Sequence, residues 1–194
     1  MTSAVAYPPG PSTGGNFASE ILYLKMMVIS TTDLQLTCTY ESGSGVFVPS
    51  GGGLIRDQDL DGYIQNLHNG TAGPLGPIYG AGTLVAPDVQ VQRDCYIVIE
   101  LVYPANLTLQ PGVGAITIVE YAKYRSLYHY DANLTRHAGT SPPSAANLPC
   151  SIVCLGLSNF NDGDTDSFNL LIHLAQNTGN AIDAKIDPRI KNRG

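Results

Sequence analysis

At 194 residues with 43% apolar side chains, the chain has the material for one domain with a buried core and needs no disulfide or metal staple. Charged residues are only 13% of it, about half the usual share of roughly 25%, and a net charge of −6 argues against a domain-wide nucleic-acid binder, which needs clustered lysine and arginine to neutralise phosphates. A surface filled instead with Ser, Thr, Asn, Gln and Gly suits one that is covered by other molecules, with glycosylation or a large uncharged surface as the alternatives.

Residues 1 to 16 gather Pro, Gly, Ser and Thr around a lone Tyr7 and read as a flexible arm. The opening residues carry neither a basic nor an apolar leader, and no run is long enough to span a membrane, so synthesis in the cytoplasm is expected. Ile21 to Ile29 is apolar on both faces, as a central strand would be. Asp33 to Tyr40 alternates cleanly, with Leu34, Leu36, Cys38 and Tyr40 on one side and polar residues on the other, which predicts a strand with one wet face. A Gly/Ser turn leads into a short strand over Val46 to Val48, stopped by Pro49 to Gly53. Asp57 to Leu67 is the helix candidate, with an acid-rich first turn and Asn69-Gly70 as its stop.

Residues 70 to 82 read as Gly/Pro loop, followed by a brief strand over Leu84 to Ala86. Two strongly apolar runs, Cys95 to Tyr103 and Ala115 to Tyr121, are expected to form the core of a sheet, with a short strand at Leu107 to Leu109 between them. A tyrosine-rich stretch to Tyr130 and a polar excursion from Asp131 to Pro149 come next. Cys150 to Leu157 and Phe168 to Ala175 read as a final pair of strands joined by an acidic loop. Residues 179 to 194 read as a C-terminal extension whose basic end, Lys185, Arg189, Lys191 and Arg193, suits contact with an acidic neighbour, a phosphate surface or a polynucleotide, or else a solvated, frayed tail. The whole predicts an all-β chain: an antiparallel β-sandwich over 17 to 178, with eight or nine strands, one short helix and long loops. A single Greek-key jelly roll is its simplest form.

Asp57, Asp59 and Asp61, followed by Gly62, place acids at alternate positions before a tight turn, the way a calcium loop gathers oxygens. The segment is similar to the opening of an EF-hand or dockerin loop, a resemblance that covers eight residues and implies a Ca²⁺ site. Position twelve of that loop falls on His68 instead of a carboxylate. The bland alternative is that the acids favour a helix N-terminus. Asp162, Asp164 and Asp166 repeat the alternation in a loop, where a weak cation or a solvated turn would suit them.

Tyr124, Tyr128 and Tyr130 share a strand face, with Lys123, Arg125 and His129 on the other. This is the chain's one concentration of aromatic and basic groups, and it suits a stacking platform for a sugar or base, or a buried face with a subunit contact behind it. No zinc, nucleotide or hydrolase motif accompanies the four histidines, so no catalytic residues are assigned. The four cysteines sit in apolar segments as small hydrophobes. Cys150 and Cys154 would lie about 13 Å apart along a strand, beyond disulfide reach, while a cross-strand pair such as Cys38 with Cys150 stays open. Sequons occur at Asn69, Asn106 and Asn133.

The function expected from this reading is that of a structural subunit of a viral or phage particle, a capsid or vertex protein located in the virion and partnered by copies of itself and other particle proteins. The alternatives are a receptor- or glycan-binding head and a subunit of an extracellular filament joined by strand addition.

Overall fold

A computed structural model describes residues 16–32, 35–80, 88–110, 114–119, 124–138, 150–157 and 165–192. The expected strand at 84 to 86, most of the arm, the acidic loop around Asp162 and Asp164, the excursion beyond residue 138 and Arg193 lie outside them. In chain order the elements are β1 (Asn16–Ala18), β2 (Glu20–Thr32), β3 (Gln35–Tyr40), β4 (Gly45–Phe47), β5 (Ile55–Arg56), α1 (Leu60–His68), β6 (Val89–Val91), β7 (Cys95–Val102) and β8 (Leu107–Leu109). They continue with β9 (Ile116–Val119), β10 (Tyr124–Asp131), β11 (Arg136–Ala138), β12 (Cys150–Leu157), β13 (Thr165–Ser167), β14 (Asn169–Gln176), β15 (Ala181–Ile186) and β16 (Arg189–Asn192). The chain is mostly β, with one helix among the described residues, and its strands exceed the expected eight or nine because many are only two to four residues long.

The largest sheet runs β11-β10-β12-β7-β2-β3, with β4 also on β2. Its centre is the pair β2–β7, and that pair is parallel, from Glu20 opposite Cys95 to Met27 opposite Val102. The expected antiparallel pairing holds for the other strands, but this pair and β16–β6 depart from it by being parallel. The physical reason lies in the two apolar faces of each central strand: parallel neighbours need a crossover, and a helix in that crossover covers one face. The chain between β2 and β7 contains α1.

A second layer is built from β15-β14-β8, with β9 also on β14, and from β13-β16-β6. The two apolar runs expected to share one sheet are thus divided, β7 in the large sheet and β9 in the layer facing it. One core lies between the layers, where Leu24, Met26, Ile97, Ile99, Val153 and Leu155 of the large sheet meet Ile116, Ile118, Leu170, Ile172 and Leu174. A second core lies on the reverse of the large sheet, where Tyr23, Tyr96, Val98, Tyr128, Tyr130 and Cys154 meet Ile55, Leu60, Ile64 and Leu67. Burying each such side chain stabilises the fold by about 1.5–3 kcal/mol.

The C-terminal boundary expected at residue 179 is not one. β15 pairs with β14 from Ala181 to Ile186, and Ile182 and Ile190 are buried in the main core. Arg189 of the supposed basic end donates from its main-chain N and from Nε and Nη2 to the buried Asp88 carboxylate, at 2.8, 3.1 and 2.9 Å. Lys191 sits on β16 opposite Thr165 and Gln90, and Lys185 sits on β15 opposite Leu171. At the far edge Gly45 has a steric role: a Cβ there would overlap the main-chain oxygen of Gly76, whose strand-like bridge to Val46 carries bonds of 2.9 and 2.8 Å.

Candidate functional site

The acids near α1 and the tyrosine stripe, two separate candidates in the sequence, form one cluster. Residues 57 to 59 form a turn, α1 begins at Leu60 with Asp59 as its N-cap, and the cap makes no side-chain hydrogen bond. The expected helix start at Asp57 is therefore three residues early. This turn sets Asp57 and Asp61 over the large sheet while Asp59 stays exposed.

Tyr96 of β7 donates its hydroxyl to Asp57 Oδ1, and Tyr130 of β10 donates to Asp61 Oδ1 at 3.0 Å. Arg136 of β11 joins both: Nη1 donates to the Asp57 carbonyl at 2.8 Å and Nε lies 3.2 Å from Asp61 Oδ1. Its guanidinium also sits 4.8 Å from the centre of the Tyr128 ring, a cation–π contact. At the other end of the helix the same design recurs. Tyr23 of β2 donates to Glu100 Oε2, His68 Nδ1 lies 3.0 Å from Glu100 Oε1, and Lys25 Nζ lies 3.9 Å from Oε2.

These pairs pin an amphipathic helix to the outer face of the sheet at both ends. Tyr23, Tyr96 and Tyr130 are fully buried. Burial first, and then the carboxylates they bond, raises Tyr23 and Tyr96 far above the ordinary phenol range, while burial first and then the neighbouring Cys154 raise Tyr130. All three hydroxyls therefore keep their protons and donate them to the carboxylates. Tyr128, pushed up to about 12 chiefly by burial, completes the aromatic layer. Asp57 Oδ2 is buried with no hydrogen-bond partner, a local cost of the arrangement.

This geometry corrects the ligand reading of the tyrosines. Tyr128 and Tyr130 do share a face, with His129 on the other, but α1 covers that face and His129 is buried behind it. None of these three side chains offers a surface to a sugar or base. The Tyr124 side chain lies outside the described residues. The calcium-like acids do not converge either: Asp57 and Asp61 face different tyrosines, and among the described residues no group of three or more His, Cys, Asp or Glu side chains is arranged to hold a metal ion. The sequence carried no signal for the roles of Glu100, Arg136 or Asp88, because each acts on a partner at least 30 residues away.

Two further polar groups lie at the margins. Buried Glu20 meets Arg93 Nε at 3.3 Å and receives the Tyr79 hydroxyl at 3.4 Å; burial raises its carboxyl despite the arginine. On the outward face of the second layer His173 Nδ1 lies 2.8 Å from Asp183 Oδ1, which also accepts from Gln110 Nε2 at 3.0 Å. Cys38, Cys95 and Cys154 are free thiols. No helix among the described residues is long and apolar enough to cross a membrane. No known protein family matches the chain, and no curated protein matches it.

Proposed function

We propose that the chain is a structural subunit of a viral or phage particle, a capsid or vertex protein that works by self-assembly, not by catalysis, and resides in the virion. The observation that carries this reading is where the few charges go. Of the small ionic complement, Glu20, Asp88, Glu100 and Asp131 are buried and Asp57 is bonded to the buried Tyr96. What remains to solvate the outside is poorer still than the composition implies, and Ile29, Val48 and Leu54 are each about half exposed. A surface of that kind is stable in water when neighbouring copies cover it.

The receptor- or glycan-binding alternative rested on Tyr124, Tyr128, Tyr130 and polar loops; Tyr128 and Tyr130 are buried, and the Tyr124 side chain and most of the loop from 131 to 149 lie outside the described residues. The filament alternative rests on the arm, residues 1 to 16, of which all but Asn16 lie outside the described residues. Static light scattering of the purified chain over a wide concentration range tests the proposal. Growth in mass with concentration toward a closed assembly supports it, and a monomer of constant mass throughout overturns it.

A further inference from the structure

The hairpin β10–β11 carries a feature that the assembly reading leaves unused. His129 is fully buried, and neither of its ring nitrogens has a hydrogen-bond partner. A buried imidazole is expected to satisfy at least one nitrogen, so an orphan of this kind calls for an unseen water or ion. Directly opposite it on β11 is His137. Residues opposite one another on paired strands share a face, with Cβ atoms about 4.5–5.5 Å apart.

His137 is oriented by the turn that joins the strands. Asp131 Oδ1 accepts the main-chain N–H groups of Asn133 and Thr135 at 2.8 and 2.9 Å, and the turn is tight enough to hold Leu134 at φ 58°. Asp131 Oδ2 is left for His137 Nε2, 3.0 Å away. With Nε2–H donating to that carboxylate, the Nδ1 lone pair of His137 is free. This is the arrangement by which a carboxylate orients and enriches a metal-binding histidine. His129 contributes the second imidazole, with both of its ring nitrogens unpartnered. The His137 side chain is 28% exposed, so the pair has a buried member and one at the solvent rim.

We propose that His129 and His137 together bind one borderline divalent transition-metal ion, of the class of zinc or nickel, with Asp131 as the positioning residue and solvent in the remaining coordination positions. Two imidazoles and water select this class over calcium or magnesium, which favour oxygen ligands.

The test is calorimetric titration of the chelator-stripped full chain with zinc chloride, alongside long-range proton–nitrogen spectra of the imidazoles. The expected result is one equivalent bound with the nitrogens of His129 and His137 shifting. His129→Ala and His137→Ala should each abolish binding, Asp131→Asn should weaken it by about 10–100-fold, and His68→Ala and His173→Ala should leave it unchanged. The spectra of the unsubstituted chain keep the test decisive if a variant fails to fold. Absence of binding, shifts confined to His68 or His173, or an unchanged affinity in His137→Ala would each overturn the proposal.

Discussion

Tyr130 and Asp61 meet across 69 positions of sequence at 3.0 Å, and through them strand β10 holds the first turn of α1. Tyr130→Phe removes the donor and leaves Asp61 on Arg136 alone. The expected loss of stability is about 1–3 kcal/mol, read from urea unfolding. A cycle with Asp61→Asn should show coupling of at least about 0.5 kcal/mol; strict additivity would mean that the bond does not hold the helix.

The apolar side of the same helix is the larger contributor. Ile64 is fully buried against the reverse of the sheet, and Ile64→Ala should cost about 2–5 kcal/mol through lost transfer energy and the cavity left behind. Gln65 is exposed on the same helix, and Gln65→Ala should stay within about 0.5 kcal/mol. Equal effects of the two substitutions would contradict the packing of α1.

Burial is the first cause that holds the phenols of Tyr23, Tyr40 and Tyr96 above their ordinary value. The unfolded chain releases these protons near pH 10 and the folded chain does not, so above pH 10 the folded state binds more protons and stability falls as pH rises; below pH 10 these groups add no slope. Tyrosinate absorbance followed together with circular dichroism should show these tyrosines ionising only as the fold is lost. Ionisation of all 11 tyrosines near pH 10 with the fold intact would refute their burial.

Deleting residues 187–194 tests whether the C-terminus is an appendage or part of the structure. The deletion removes β16, uncovers the core around Ile190 and strips buried Asp88 of Arg189. A loss above about 3 kcal/mol is expected. Arg189→Ala alone should cost less, since the arginine side chain is 60% exposed and part of the ion pair is screened by solvent. An unchanged melting curve after deletion would restore the reading of these residues as a tail.

What could be read from sequence was what depends on local period. The two-faced apolarity of Ile21 to Ile29 and of Cys95 to Tyr103 marked the two central strands, and the alternation ending at Cys38, Thr39 and Tyr40 survives as a strand with Thr39 outward. The helix was visible too, displaced at its start because Asp57 turns to meet Tyr96. The alternation of Ile182, Ala184 and Ile186 with Asp183 and Lys185 is also a strand signal, one that the neighbouring basic residues obscure. The parallel pairing of β2 with β7 had no local signature, nor did the convergence of acids with tyrosines. The motif that resembled a calcium loop was the same acid spacing put to another use: alternate carboxylates at a helix start serve equally well as acceptors for phenols on a neighbouring sheet.

We propose that sister molecules cover this charge-poor sandwich. Electron microscopy of the protein in its native material tests it most directly. Regular closed particles, or a repeating position on such particles, are the predicted result; dispersed single molecules in that setting would contradict the account.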